Sequence, residues 1–279
     1  GVYIKQTFTL SDIDSGNFGA PVVYRAWNNE KPVLDGGFRV RKLRKVRDSA
    51  ILKRLKPEAR GKVFAANVKE QGYDISAAPK GYGFGINNQT VRELYQDGTP
   101  LQPARWPNNG TVMTGNVANP TNLTFNCAED RLSGWAQAKD MLASGHWCHL
   151  WAHCTVPAAA DATAGTLTLT EKPGGYGIKA DRPFYVLNLL EELDSPGEWF
   201  LDRDSGVLYV WPLKHPWFSE ITLSRFAHPF IAATATRELV IHGLTLQHGQ
   251  QHGIVLQHCF NTTVSGNVIR RFGGTALNA

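Results

Sequence analysis

Apolar and polar residues alternate in short runs along much of the chain, which is the pattern of half-buried β-strands. Strands are predicted over residues 3–10, 21–27 and 166–170, and each run is followed or preceded by residues that favour turns. No long segment carries the three-to-four residue periodicity of an amphipathic helix. The pattern therefore predicts an all-β fold.

Turn residues place two hairpins and one short helix on this background. Asp97-Gly98 lies between two apolar runs and predicts a two-residue hairpin turn. Ser205-Gly206 separates two aromatic-rich strands in the same way. A helix is predicted to start at a cap at residue 48 or 49 and to end at Leu55, just before Pro57.

The last sixty residues repeat with a period of about 22 residues. Val240–Leu246 aligns with Thr263–Ile269, which places Gly243 and Gly266 at a spacing of 23. A second element recurs at spacings of 23 and 22, as Phe230-Ile231, Gly253-Ile254 and Thr275-Ala276. Short β-branched runs with Gly or Asn at the corners are typical of the coils of a parallel β-helix. The recurrent leucine frame of a leucine-rich repeat, which has a similar period, is missing.

Three segments follow from this organisation. Residues 1–37 are predicted to form the first wall of the β-helix, residues 38–212 an inserted β-rich domain, and residues 213–279 the following coils. Only two clear coils precede Ala279, whereas a solenoid generally needs three or more repeats and a cap. We therefore expect a truncated β-helix in a fragment of a longer protein, with an open strand edge that favours self-association.

Composition narrows the classes of partner. A hydrophobic share of 42% and a charged share of 19% indicate a folded chain with a real core. No apolar run approaches about eighteen residues, so no membrane span is expected. The net charge of +5 favours acidic partners weakly, and no nucleic-acid-binding motif is present. Nine basic residues within 39–56 form either a solvated face or a patch that attracts an acidic polysaccharide.

The cysteines and histidines do not predict a metal site. Cys127, Cys148, Cys154 and Cys259 form no CxxC motif, and their redox state stays open. If residues 146–154 are a strand, His149 and His153 lie about 13 Å apart, too far for one ion. A helix would instead place them one turn apart and would allow zinc. We favour a packed aromatic core and predict no metal.

Three groups of motifs carry a family resemblance, and it spans essentially the whole chain. The motifs are Asp14–Gly16 with Pro21–Ala26 and Leu34–Gly37, Ala104–Asn108, and Glu192–Arg203 with Leu208–Pro212. They resemble the right-handed parallel β-helix carbohydrate-active proteins, and most closely the glycoside hydrolase family 141-like proteins within the pectate-lyase-like superfamily.

The resemblance implies a secreted or periplasmic bacterial protein that hydrolyses glycosidic bonds in a plant, algal or microbial polysaccharide. It also implies that substrate lies along a groove on one parallel sheet, with catalytic carboxylates on later coils, beyond Ala279. Two alternatives stay open. One is a polysaccharide lyase or uronate epimerase with a Lys, Arg or His base, which would use Ca²⁺; no cofactor is otherwise expected. The other is a non-catalytic glycan-binding or structural module.

Four residues are candidates for catalysis. Asp194 and Glu198 could act as paired carboxyls, which glycoside hydrolysis needs about 5 Å or about 6.5–9.5 Å apart. Their turn-rich setting favours a structural role instead. His248 and His252 lie near a turn of the repeats and could act as bases or bind sugar hydroxyls.

Three further residues are candidates for substrate binding. Arg270 and Arg271 could bind the carboxylate of an acidic sugar through two parallel hydrogen bonds. In a regular strand, one of these two neighbours must point away from the groove. Trp106 could stack on a sugar ring, although a tryptophan in such a segment is more often part of a core.

Overall fold

A computed structural model of the protein describes residues 2–88, 90–117, 121, 123–127 and 131–279, without the side chains of Val2 and Tyr3. The fold is all-β, as predicted, with a few short helices. The chain divides into two compact units. Unit 1 comprises Gly1–Arg39, Gln89–Pro100 and Thr222–Ala279, and unit 2 comprises Val40–Asn88 and Leu101–Ile221. The segment boundaries predicted at residues 37 and 212 stay a prediction.

The described elements are short, as the alternation predicts. The strands are β1 (Val2–Tyr3), β2 (Phe8–Leu10), β3 (Val22–Arg25), β4 (Val33–Asp35), β5 (Gly37–Val40), β6 (Arg44–Lys45), β7 (Phe64–Asn67), β8 (Tyr82–Gly83), β9 (Leu94–Gln96), β10 (Thr99–Pro103), β11 (Arg105–Trp106), β12 (Val112–Met113), β13 (Thr124–Asn126), β14 (Leu142–Gly145), β15 (Cys154–Asp161), β16 (Thr166–Leu169), β17 (Pro183–Leu187), β18 (Glu198–Asp202), β19 (Val207–Val210), β20 (Ile221–Ser224), β21 (Ile231–Thr234), β22 (Arg237–His242), β23 (Thr245–Gly249), β24 (Ile254–Gln257), β25 (Phe260–Ser265), β26 (Val268–Phe272) and β27 (Leu277–Asn278). The α-helices are α1 (Ser49–Arg54) and α2 (Leu132–Trp135), and 3₁₀ turns occupy Asp12–Asp14, Pro57–Ala59, Leu190–Glu192 and Pro216–Phe218.

Unit 1 contains three sheets whose described strand pairs are all parallel. Their strand orders are β1-β4-β23-β26, β2-β21-β24-β27 and β25-β22-β3. The register follows the sequence repeat, because Ile231 pairs with Ile254 and Ile254 pairs with Leu277, each 23 residues further on. The chain's early strands join the same sheets, with Val22 opposite Leu239. The repeat seen in the sequence therefore corresponds to parallel strand pairing.

The corners of the repeat share a left-handed backbone. Positive φ angles recur 23 residues apart at Gly243 and Gly266, with values of 73° and 63°. His248 and Arg271 form a second such pair, with φ angles of 61° and 62°. Because a left-handed residue interrupts the in-out alternation of a strand, it re-aims the neighbouring side chains. This irregularity matters for the site described below.

The core of unit 1 lies between these parallel sheets. Its members are buried aliphatic and aromatic side chains that point inward from successive strands: Leu10, Phe226, Phe230, Ile231, Ala233, Leu239, Ile241, Leu246 and Ile254. Phe230 is completely buried and packs edge-on against Phe272 and Phe226. Burying one such side chain contributes about 1.5–3 kcal/mol, so this core stabilises the packing of the parallel sheets strongly.

Unit 2 has a different sheet architecture, because its sheets are antiparallel or mixed. The predicted aromatic hairpin is confirmed, with Trp199 opposite Val210 and Asp202 opposite Val207. Gly206 allows its turn, since its φ of 75° favours glycine. Asp202 accepts hydrogen bonds from the Asp204 N–H and from Ser205 Oγ, so its carboxylate stabilises this turn.

The sequence signals for α1 are confirmed, but those for residues 146–154 are not. Asp48 caps α1 by accepting a hydrogen bond from the Ala50 N–H at 2.8 Å, and the helix ends before Leu55. Residues 146–153 form neither the strand nor the helix considered for them, because they turn between β14 and β15. The distance argument that assumed a straight strand therefore does not apply to His149 and His153.

Candidate functional site

One cluster of polar side chains stands out in unit 1. The cluster, called the Asp35 cluster below, consists of Asp35, Glu93, Tyr95, Gln247, His248, Arg270 and Arg271. Four separate stretches of chain contribute to it: the end of β4, the strand β9 with the residue before it, and the paired strands β23 and β26. It unites three of the predicted residues with four that the sequence did not single out.

The backbone after Asp35 is shaped to hold its carboxylate. The Gly37 N–H donates to Asp35 Oδ1 at 2.8 Å. A Cβ atom at Gly37 would lie 2.5 Å from Thr222 and 2.9 Å from that same oxygen, and one at Gly36 would lie 2.7 Å from the Phe230 ring. Only glycine fits at both positions, so the Asp-Gly-Gly sequence is a requirement of this local packing.

His248 reaches Asp35 because its backbone is left-handed. In a regular strand, Gln247 and His248 would point to opposite faces. The φ of 61° at His248 breaks this alternation, and both side chains bind the same carboxylate. Gln247 Nε2 donates to Asp35 Oδ2 at 2.9 Å, and His248 Nδ1 lies 2.9 Å from Asp35 Oδ1.

These hydrogen bonds determine that Asp35 is ionised and which ring nitrogen of His248 carries the hydrogen. Burial alone would raise the pKa of Asp35, but the hydrogen bonds from His248, Gln247 and the Gly37 N–H together lower it below its ordinary value. An ionised carboxylate only accepts hydrogen bonds, so His248 Nδ1 carries the hydrogen. His248 Nε2 is buried, and no partner among the described residues reaches it. Such an unpaired buried atom is a feature that calls for an explanation.

Glu93 forms the second acidic group of the cluster. The Tyr95 hydroxyl donates to Glu93 Oε2, and the Tyr95 ring lies 5.0 Å from the His248 ring. Burial raises the pKa of Glu93, although the Tyr95 hydrogen bond and the nearby His248 partly oppose the rise. Burial and the neighbouring Glu93 also raise the pKa of Tyr95 above its ordinary value, so the Tyr95 hydroxyl keeps its proton.

The two arginines meet on one side chain instead of facing opposite ways. Arg270 donates to Gln247 Oε1 at 2.9 and 3.0 Å, and Arg271 donates to the same oxygen at 3.1 Å. Arg271 also donates to the Gly98 carbonyl at 2.8 Å. Neighbours in a regular strand would point to opposite faces, but Arg271 has the left-handed φ of 62°, so both side chains reach Gln247. The expectation that one of them points away from a substrate groove stays a prediction. Burial and the adjacent Arg270 lower the pKa of Arg271.

The arrangement separates two carboxyl groups by their acidity. Asp35 is held ionised by three hydrogen bonds, which leave one of its roughly four lone-pair positions open. Glu93 is pushed toward its protonated form. Two carboxyls whose surroundings shift their pKa values in opposite directions are suited to act as a base and an acid.

His252 has a different setting from His248. Its Nδ1 lies 3.1 Å from the Thr275 backbone nitrogen and 2.5 Å from Thr275 Oγ1, one repeat further along the chain. His242 makes the same type of contact with Ser265 Oγ, at 3.1 Å. These two histidines therefore link successive repeats, and among the described residues the hydrogen bonds of His252 go to Thr275 and not to the Asp35 cluster.

Asp194 and Glu198 belong to unit 2, where they stabilise a loop. Asp194 accepts hydrogen bonds from Asn108 Nδ2 at 2.6 Å and from Lys56. Glu198 is 3% exposed and accepts hydrogen bonds from the backbone N–H groups of Asp194, Ser195 and Arg105 at 2.9–3.3 Å. Donors from the protein itself thus occupy both carboxylates, which supports the structural interpretation over a catalytic pair.

Glu192 lies at the centre of the same region of unit 2. It is 2% exposed and accepts hydrogen bonds from Lys56 Nζ at 2.5 Å, Arg131 at 2.6 Å and Trp135 Nε1 at 2.9 Å. Lys56 bridges Glu192 and Asp194. Burial alone would lower the pKa of Lys56, but its hydrogen bonds to the two carboxylates raise it above its ordinary value. We call Glu192 and these three donors the Glu192 network.

Glu198 is expected to make stability depend on pH. Burial raises the pKa of its carboxyl from 4.5 to about 7, despite the opposing backbone hydrogen bonds. A raised pKa in the folded state favours folding while the group is protonated, and this contribution is lost as the pH rises through about 7. At 1.36 kcal/mol per pKa unit, the loss is about 3 kcal/mol.

Urea unfolding of wild type and Glu198→Gln checks this prediction. Below pH 4.5 the side chain at position 198 is neutral in both proteins. Raising the pH from there to above 7 should therefore lower the free energy of unfolding of wild type by about 3 kcal/mol relative to that of the variant. Glu58→Gln, which makes the same change at an exposed position, should show no such pH dependence. An equal pH response in Glu198→Gln and wild type would contradict the prediction.

Trp106 is placed in a core. It is 8% exposed, lies 5.4 Å from the Trp135 ring and is covered by the Arg131 guanidinium at 5.6 Å. A sugar can stack on an indole only if at least one face of the ring is exposed. The burial of Trp106 therefore disfavours the binding role predicted from the sequence. That role stays a prediction.

Among the described residues, no three His, Cys, Asp or Glu side chains are grouped so that they could hold a metal ion. The four cysteines are free thiols, and burial raises the pKa of Cys154 to about 11, so it stays protonated. Within the same residues, none of the helices has the length and apolar character needed to cross a membrane.

Comparison with known proteins gives one informative likeness. No family model matches the chain, and no curated protein is similar to it. A solved structure named "Glycoside hydrolase" superposes with a TM-score of 0.63 at 17% identity, covering 89% of this chain and 42% of that one. A structure named "The complex structure of XylC with xylose" reaches a TM-score of only 0.39 at 10% identity, covering 92% and 35%. The chain thus spans less than half of either structure, and the first likeness shows a shared fold.

Proposed function

We propose that this chain is part of an enzyme that hydrolyses glycosidic bonds in a polysaccharide. The observation that carries the proposal is the Asp35 cluster, in which Asp35 is held ionised while Glu93 is pushed toward its protonated form. The fold that the chain shares with a solved glycoside hydrolase supports it. So does the parallel pairing at a 23-residue register, which we interpret as the first coils of a right-handed parallel β-helix. On this basis the family 141-like assignment is also proposed.

The proposed chemistry divides the work between the two carboxyls. Glu93, as a neutral acid, donates its proton to the glycosidic oxygen while the bond from that oxygen to the anomeric carbon breaks. Asp35, as a carboxylate, takes a proton from the water whose oxygen forms the new bond to the anomeric carbon. The two protons then return through solvent, so that each carboxyl regains its starting state.

His248 and Tyr95 are positioning residues in this proposal. His248 holds the Asp35 carboxylate through Nδ1, and Tyr95 holds Glu93 through its hydroxyl. Their rings pack against each other at 5.0 Å, which couples the positions of the two acids. Arg270 and Arg271 fix Gln247, whose amide in turn binds Asp35.

A lyase or epimerase is the second candidate, because one observation favours it. Burial and Arg270 lower the pKa of Arg271, and such an arginine could serve as the base that removes a proton next to a uronate carboxylate. A lyase would then expel the glycosidic oxygen and leave an unsaturated sugar, which absorbs ultraviolet light. An epimerase would return the proton to the other face of the same carbon without cleaving the chain, and hydrolysis would give no such absorbance.

The experiment is an assay of the natural protein containing this chain on a panel of neutral and acidic polysaccharides. We expect new reducing ends without ultraviolet absorbance. Products that absorb ultraviolet light would replace the hydrolase proposal with the lyase. Failure to cleave any polysaccharide of a broad panel, by a protein shown to be folded, would overturn both.

A further inference from the structure

Four aromatic side chains gather at the surface of unit 2, away from its core. The aromatic platform, as we call it, consists of Phe84, His149, Trp151 and Tyr176. Trp151 is 61% exposed, Tyr176 51% and Phe84 44%. Large apolar side chains that are exposed together mark interaction sites more often than isolated ones do.

The rings hold one another in a fixed arrangement around Trp151. The His149 ring stacks on the indole at 5.3 Å with an angle of 12° between the planes. Phe84 and Tyr176 meet the indole nearly edge-on, at 5.1 and 5.4 Å. Contacts of this type stabilise a ring pair by about 0.5–1.5 kcal/mol, so Trp151 is restrained although it is exposed.

The backbone beneath the platform is also closely packed. The Phe84 N–H donates to the His153 carbonyl at 2.9 Å, and the Ala152 N–H donates to the His149 carbonyl at 3.0 Å. A Cβ atom at Gly85 would lie 3.0 Å from the backbone of Gly174, which shows how closely these two loops approach. A surface that is ordered before a ligand arrives loses little conformational entropy on binding.

The polar edges of the platform are available to a ligand. Among the described residues, nothing forms a hydrogen bond with Trp151 Nε1, Tyr176 Oη or the His149 ring nitrogens. Three of the buried tryptophans differ, because Trp135 donates to Glu192, Trp147 to the Cys154 carbonyl and Trp199 to the Leu101 carbonyl. The platform thus combines exposed ring faces with unused donors and acceptors at their rims.

This combination matches the surface of a pyranose ring. One face of such a sugar presents C–H groups, which pack on an aromatic face, while its rim carries hydroxyls that both donate and accept hydrogen bonds. We propose that the aromatic platform is a glycan-binding site that holds a polysaccharide chain through Trp151 and Tyr176. The inference rests on the proposed function for the choice of ligand, but it concerns binding and not cleavage.

The test is affinity electrophoresis of the natural protein in gels containing xyloglucan, glucomannan, arabinoxylan or polygalacturonate. Trp151→Ala should weaken retention by the bound polysaccharide about tenfold, which corresponds to about 1.4 kcal/mol of lost stacking. Trp217→Ala is the matched control, since Trp217 is 82% exposed in unit 2 and is not part of the platform. Trp151→Phe, which keeps an aromatic ring, should retain part of the affinity. It provides a second test if the alanine variant does not fold.

The outcomes separate this inference from the proposed function. Equal retention of wild type, Trp151→Ala and Trp217→Ala, or no retention of wild type in any gel, overturns the glycan-binding site even if the enzyme cleaves polysaccharide. Loss of retention in Trp151→Ala alone supports the site even if no cleavage is found.

Discussion

Replacing Glu93 by glutamine is expected to lower kcat on the cleaved polysaccharide by about 10²–10⁴-fold, the usual contribution of a general acid. Glutamine has nearly the same shape and can still accept the hydrogen bond from the Tyr95 hydroxyl, but it has no proton to give to the glycosidic oxygen. KM should change little, because the substrate meets a group of the same size and polarity. Initial rates of reducing-end release by the natural protein and its variant measure both parameters.

The control for this variant is Glu30→Gln, the same chemical change on an exposed loop of unit 1. It should leave kcat unchanged. Thermal unfolding of both variants shows whether Glu93→Gln still folds, and Glu93→Asp offers a second test by keeping an acid that is displaced from Tyr95. A folded Glu93→Gln variant with wild-type kcat would remove Glu93 from the mechanism.

The pH profile gives an independent check on the same assignment. Glu93 must be protonated to act, so activity should fall as the pH rises through its raised pKa. Asp35 must be ionised, so activity should fall as the pH drops through its lowered pKa. The result is a bell-shaped profile. Residual activity in Glu93→Gln should lose the alkaline limb and keep the acidic one.

Local features of the fold could be predicted from the sequence because they depend on neighbouring residues. The Asp48 cap and Pro57 bracket α1, and Asp97 and Gly98 adopt the positive φ angles, 49° and 75°, that their hairpin turn needs. The repeat was also visible, since a 23-residue register repeats the same apolar pattern. Residues 146–153 could not be predicted in this way, because the alternation argument assumes a strand where the chain turns.

The Asp35 cluster could be predicted only in part. His248, Arg270 and Arg271 were recognised as polar residues on the repeats, but Asp35 lies 213 residues before His248, and no local pattern links them. The left-handed backbone at His248 and Arg271 also reverses the side-chain directions that alternation assigns. The one signal that could have identified Asp35 is the pair of glycines after it, which leaves room for Thr222 and for the carboxylate.

Glu192→Ala is expected to lower the free energy of unfolding by about 1–3 kcal/mol, the typical cost of leaving a buried hydrogen-bond donor without its acceptor. The variant would leave Trp135 Nε1 without its acceptor and would take from Lys56 and Arg131 the carboxylate that both of them bind. The loss therefore comes mainly from the groups left unpaired, and a neutral acceptor should recover part of it. For this reason Glu192→Gln should lie between wild type and Glu192→Ala.

The adjacent Glu191 provides the matched comparison. Glu191 pairs with Arg54, whose side chain is 32% exposed, and an ion pair with this much contact with solvent contributes about 1 kcal/mol or less. Denaturant unfolding followed by tryptophan fluorescence, which Trp135 should report directly, should rank Glu192→Gln as clearly less stable than Glu191→Gln. Equal midpoints would show that the Glu192 network does not stabilise unit 2 through its buried charges. The predicted ranking would instead mean that Glu192 stabilises the fold of unit 2.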